Sequence, residues 1–147
     1  MQNRFQDQNK RLTDFQNEVA VVCPKCKKKA LATVDYELRT ARLFCTHCGY
    51  HKQATTEVMI LGMKARKIEH AASYFNADPW FIYPFKNEVF WAYNEAHLEY
   101  LESYISATLR EHKDRSHFTL LEKLPRFYHE AKNREPLLKI INKLKAK

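Results

Sequence analysis

A chain of 147 residues, 45% hydrophobic and 13% aromatic, has the length and core material for one domain, or for a small module attached to a modest one. With only two glycines it has no Gly-rich phosphate-binding loop, and its longest uncharged aromatic run, residues 79–85, is too short to span a bilayer. The net charge of +8 at pH 7 points to an anionic partner, nucleic acid first.

Residues 1–19 are polar and carry charges of both signs. Phe5, Leu12 and Phe15 fall on one side of a helical projection. The segment is expected to be an arm or a partly docked helix.

Residues 20–55 hold all four cysteines of the chain. They form two Cys-x-x-Cys pairs, Cys23-Pro24-Lys25-Cys26 and Cys45-Thr46-His47-Cys48, with 18 residues between them. This spacing reads as a zinc site held by Cys23, Cys26, Cys45 and Cys48. Two intervening residues let a tight turn aim both sulfurs at one metal, and the second pair completes a tetrahedral shell. Four thiolates leave no position open for water, so the expected role is structural. Iron, a pair of redox dithiols and two disulfides are the alternatives. The polar N-terminus points to a cytoplasmic protein, which disfavours disulfides. His47 and His51 lie near enough to be ligands, but four cysteines already satisfy the metal.

The stretches Val22-Cys23-Pro24-Lys25-Cys26 and Phe44-Cys45-Thr46-His47-Cys48-Gly49-Tyr50 resemble the two knuckles of a zinc ribbon, as in transcription factor IIB and RNA polymerase subunits. The resemblance covers about residues 20–55. It implies a metal-stabilised three-stranded fold, and no single function, because ribbons bind DNA, RNA and proteins alike. Here Gly49 follows the second knuckle but Lys27 follows the first. The remainder, especially residues 90–101, is similar to bacterial zinc-ribbon proteins of unassigned function. Some of these carry a Cys-Cys-Gly turn where this chain has Phe85-Lys86-Asn87.

Within the ribbon, Val34, Tyr36 and Leu38 alternate with polar residues, which predicts a strand. Residues 41–44 return to the second knuckle, and 50–55 form a third strand. Lys25, Lys27, Lys28, Lys29, Arg39, Arg42 and Lys52 stand against only Asp35 and Glu37. Together with His47 and Tyr50 they are the expected phosphate-and-base contacts.

Residues 56–76 show Val58, Leu61, Ala65, Ile68 and Ala72 at helical spacing, which predicts a helix ending before Pro79. Residues 80–93 read as an aromatic β-hairpin turning at Lys86-Asn87-Glu88. Trp80 and Trp91 in it are core or interface residues, or a stacking platform for bases. Residues 94–111 predict a helix capped by Asn94, with Leu98, Leu101, Ile105 and Leu109 on one stripe. A charged loop over 112–118 and a short helix over 119–124 follow. Pro125 starts or kinks the next piece, and a last helix capped by Asn133 ends in a lysine-rich turn.

The fold class expected is α+β: a zinc ribbon, then a mainly helical part with one hairpin. No catalytic set emerges, since Asp78, Lys86 and Glu88 lack the order and spacing of a nuclease site. The expected function is non-enzymatic nucleic-acid binding stabilised by one structural Zn²⁺. An adaptor docking on a larger nucleic-acid-processing or defence complex comes second, and a partner-dependent nuclease third. A homodimer through the aromatic hairpin is a further expectation, and no membrane partner is expected.

Overall fold

The computed structural model describes residues 10–107 and 124–147 in full, and the backbone of 4–7 and 109–112. The fold is α+β, as expected, in two compact units. One spans Phe15–Phe81, and the other joins the residues up to Asp14 with Ile82–Lys147.

The first strand, β1 (Arg4–Asp7), belongs to the second unit. Among the described residues that follow is a 3₁₀ turn, Leu12–Asp14, in which the Asp14 carboxylate accepts the Arg11 N–H at 2.7 Å. The N-terminal segment is therefore not the helix that Phe5, Leu12 and Phe15 suggest.

The unit Phe15–Phe81 is built on an antiparallel meander: β2 (Glu18–Val22), β3 (Lys29–Asp35), β4 (Thr40–Phe44) and β5 (His51–Thr55). The sheet has one strand more than the three expected. The Ala20–Val22 lead-in is itself paired, from Glu18 opposite Thr33 to Val22 opposite Lys29. Side chains alternate across the sheet. Val19, Val21, Ala30, Ala32, Ala41 and Leu43 turn inward and are buried, while Leu31, Thr40, Arg42 and Phe44 turn outward. A 3₁₀ turn, Ala71–Phe75, packs across all four strands with Ala71 and Ala72 buried, and closes the inner face. Alanines on both sides let the backbones approach closely.

The helix expected over 56–76 does not form. Its first half is a second hairpin, β6 (Glu57–Ile60) and β7 (Met63–Arg66), joined by Leu61 and Gly62. Both turn residues have positive φ, 52° and 77°, the requirement of a two-residue hairpin turn that matches strand twist. Glycine meets that requirement freely, so Gly62 ends any helix that Val58 and Leu61 begin. Buried Thr56 anchors the hairpin's base. Its N–H donates to the Arg39 carbonyl (3.1 Å), and its carbonyl accepts the Lys67 N–H (2.7 Å).

The second unit contains the expected aromatic hairpin, β8 (Phe81–Phe85) and β9 (Glu88–Ala92), with the unit boundary falling inside β8. Helix α1 (Glu95–Ser106) follows, and the Asn94 side chain caps it by accepting the His97 N–H at 2.8 Å. It ends five residues short of the expected 111. The Arg134 guanidinium binds the Ile105 and Ala107 carbonyls at 3.0 and 3.3 Å, a cation on the negative end of the helix. Leu109 then leaves the apolar stripe to join β10 (Leu109–His112), which pairs in parallel with β1. His112, expected in the charged loop, ends β10, and residues 113–123, which hold the rest of that loop and the expected short helix up to Lys123, lie outside the described residues. Two 3₁₀ turns, Arg126–Tyr128 and Ala131–Asn133, lead into α2 (Arg134–Lys145). Asn133 sits at the start of α2 but does not cap it. Its side chain turns inward, donating to the Phe127 carbonyl (3.1 Å) and accepting from Lys86 Nζ (3.2 Å). Phe90, Leu98, Leu101, Ile105, Leu137 and Ile141 form this unit's core. Among the described residues no helix is long and apolar enough to cross a membrane.

Candidate metal centre

The loops β2–β3 and β4–β5 carry one cysteine pair each, and they fold alike. In the first, the Lys27 N–H returns to the Cys23 carbonyl (3.0 Å) and the Cys23 N–H to the Lys28 carbonyl (2.8 Å). In the second, the Gly49 N–H returns to the Cys45 carbonyl (2.9 Å) and the Cys45 N–H to the Tyr50 carbonyl (2.9 Å). Each chain reversal needs a positive φ after its second cysteine, 65° at Lys27 and 77° at Gly49. Lysine thus takes the strained position that glycine fills in the twin loop, and its ammonium folds back on the Pro24 carbonyl at 3.2 Å.

The loops bring the four sulfurs of Cys23, Cys26, Cys45 and Cys48 within 4.8 Å of one another, a group that could hold a metal ion. The Cys23–Cys48 separation is 3.7 Å and the Cys26–Cys45 separation 3.5 Å. A tetrahedron of sulfurs about 2.3 Å from a central metal has edges of about 3.8 Å, so the donor set fits such an ion. Cys23 and Cys45 are buried and the other two half-buried. At Cys23, burial opposes ionisation. Hydrogen bonds from the Cys26 and Lys25 backbone and from neighbouring sulfurs outweigh it, holding the pKa down at about 6. At Cys26 the Lys28 backbone lowers the pKa, but burial and the other three sulfurs push it up to about 11. Four thiolates so close repel one another, and a divalent cation removes that repulsion.

The basic residues of the same unit divide among three places. Lys25, Lys27 and Lys28 are exposed on the first knuckle, whereas Lys29 is half-buried with its ammonium 5.0 Å from the Phe81 ring centre. Arg39 sits at the β3–β4 turn with φ 57° and binds Glu57 at 2.7 Å. Arg42 points outward from β4 beside His51, 3.3 Å from its Nε2, and the His51 ring meets Phe44 edge-on. Lys52 stands opposite Leu43, on the other face of the sheet from Arg42. His47 is exposed on the second knuckle and Tyr50 is half-buried beside it, and neither histidine joins the sulfur cluster. The grouping of Arg42, Phe44 and His51 is absent from the sequence reading. Its signal is the alternation of Arg42 and Phe44 with Ala41 and Leu43 along β4.

The two tryptophans are both half-buried. Trp91 packs edge-on against Tyr93 and His97, with ring centres 4.9 and 5.6 Å away, and the Trp80 N–H donates to the Ala20 carbonyl at 3.0 Å. Asp78 and Glu88 are exposed. Among the described residues the cysteines are the one group of three or more His, Cys, Asp or Glu arranged for a metal. Comparison with family models, with curated proteins and with solved structures finds no match to this chain.

Proposed function

We propose that the metal is Zn²⁺, that residues 20–55 form a zinc ribbon, and that the chain binds nucleic acid without catalysing a reaction. An all-sulfur tetrahedral donor set favours zinc, which has no geometric preference of its own. The observation that carries the binding function is the first knuckle. Lys25 and Lys28 project into solvent from a loop whose backbone is pinned at both ends by hydrogen bonds. Cations held on a fixed loop lose little freedom on meeting phosphates, and they release counterions when they do. The outer sheet face adds Arg42, His51 and Phe44, a cation and two rings that suit stacking on a base.

The test is the salt dependence of binding to labelled single strands and duplexes, followed by fluorescence anisotropy. Lys25→Glu with Lys28→Glu should lower the log–log slope by roughly 0.7 per lost contact on single strands, or roughly 0.9 on duplex. An unchanged slope, or no wild-type binding at low salt, would overturn the reading. The adaptor reading has its own support, because Leu31 and Phe44 are exposed on that same sheet face. It predicts a protein complex that resists salt. The aromatic hairpin exposes only Ile82 and Val89 among its large aliphatic side chains. A stable dimer uses about 20–30 residues a side, so we take the monomer as the binding species.

A further inference from the structure

The β6–β7 hairpin is apolar where it is most exposed. Met59, Ile60, Leu61 and Met63 are all exposed, and Leu61 at the tip is 99% exposed. Pairing places Val58, Ile60, Met63 and Ala65 on one face of the ribbon, and Glu57, Met59, Lys64 and Arg66 on the other. The charges are unbalanced. Glu57 is engaged by Arg39 at the hairpin's base and faces Arg66 across the ladder, and Lys67 pairs with Glu69 at 3.4 Å, while Lys64 and Arg66 are exposed along the hairpin's side with the one carboxylate between them. The base is fixed by the two Thr56 backbone hydrogen bonds, so this is a held projection with an apolar end and cationic flanks.

We propose that this hairpin is an arm that enters a groove of duplex DNA and wedges Ile60 and Leu61 against or between base pairs, with Lys64 and Arg66 on the flanking phosphates. The inference rests on the nucleic-acid reading above and names the duplex as its target. A two-stranded ribbon fits the major groove, which is about 12 Å wide and about 8.5 Å deep. Four residues of strand reach about 13 Å, enough to bring the tip to the groove floor. At the groove floor, leucine, isoleucine and methionine are among the apolar side-chain types that partly unstack a base step, as the wedges of minor-groove proteins do.

Size and composition weigh against the other occupants. A second copy would need an interface several times larger than this handful of side chains. A membrane surface favours Trp and Tyr at the headgroup level, and residues 57–68 contain no aromatic side chain.

The test uses the full metal-loaded chain and a duplex carrying 2-aminopurine at a pyrimidine–purine step, where unstacking is easiest. Anisotropy of a separate label reports binding. Wild-type protein should raise 2-aminopurine emission at saturation. Leu61→Asn, alone and with Ile60→Thr, should abolish most of that rise while affinity falls less than about tenfold, because phosphate contacts dominate affinity. Far-ultraviolet circular dichroism and metal content should match the wild type, since both side chains are exposed. Saturating binding with no change in emission overturns the arm, as does a rise that survives both substitutions. Binding confined to single strands removes the arm and leaves the nucleic-acid reading standing, whereas no binding to any nucleic acid removes both. Anionic phosphatidylserine vesicles are the comparison. Vesicle binding lost in the tip variants, with duplex emission unaffected, assigns the arm to a membrane and overturns the proposal.

Discussion

Removing the metal should unfold the unit Phe15–Phe81 and leave the other unit folded. The large buried side chains of the first unit are few: Val19, Val21, Leu43 and Phe81, beside six alanines and two cysteines. Fully burying each is worth about 1.5–3 kcal/mol, so together they supply about 6–12 kcal/mol. A structural zinc site contributes about 10–16 kcal/mol, as much as the whole net stability of an ordinary domain, about 5–15 kcal/mol. Cys45→Ser, or a chelator, removes that contribution at a fully buried ligand. The second unit keeps Phe90, Leu98, Leu101, Ile105, Leu137 and Ile141, and no metal ligand. The two tryptophans separate the responses, since Trp80 lies in the first unit and Trp91 in the second. In a Trp91→Phe background, chelation should shift Trp80 emission to that of the unfolded chain. In a Trp80→Phe background, Trp91 emission should barely move. Metal-free protein whose Trp80 emission and β3–β4 amide protection are unchanged would refute the reasoning, and iron in the purified protein would refute the assignment of zinc.

Two further substitutions test the physical account. Burial holds the His97 imidazole down at about 4 against 6.5 in the unfolded chain, and its neutral Nδ1 accepts the Tyr93 N–H at 3.0 Å. Between those pH values the unfolded chain takes the proton first, so the contribution is fully present above about pH 6.5 and is lost as pH falls to about 4, roughly 3 kcal/mol in all. His97→Gln should flatten this loss in urea midpoints read from Trp91. Lys27→Gly relieves a left-handed strain of about 1–2 kcal/mol and adds about 0.5–1 kcal/mol of unfolded-state entropy. The thermal midpoint of the metal-loaded first unit should therefore rise by a few degrees, and an unchanged or lower midpoint would show that Lys27 is not strained.

The four-cysteine cluster was legible because a Cys-x-x-Cys pair is local: three covalent links and one tight turn determine where both sulfurs go. The Asn94 cap was legible for the same reason. Whatever depended on a distant partner was not. The end of α1 is set by Arg134, far along the chain, and by the pairing of Leu109–His112 with Arg4–Asp7. Asn133 has the residue type of a cap, yet its amide is spent on Phe127 and Lys86. The set of nine ribbon contacts was a list by proximity in sequence. The pleat sends Arg42 and Lys52 to opposite faces, and Glu57 takes Arg39.

The misreading of residues 56–66 and the proposed arm have one cause. Val58, Leu61 and Ala65 suggest a helix only if the apolar stripe faces a core, and here Leu61 faces solvent almost entirely. A leucine there contributes nothing to packing, and at φ 52° it carries a left-handed strain of about 1–2 kcal/mol. Asparagine tolerates that conformation, and Asn-Gly is the preferred pair for such a turn. Leu61→Asn should therefore raise the stability of the hairpin, by about 0.5–1 kcal/mol, seen as slower amide exchange in β6 and β7. A residue kept for the fold alone would behave oppositely, and loss of protection on this substitution would mean that Leu61 has a packing role within the chain. Gain of protection together with loss of duplex distortion would place the benefit of Leu61 outside the folded chain, in whatever the tip touches.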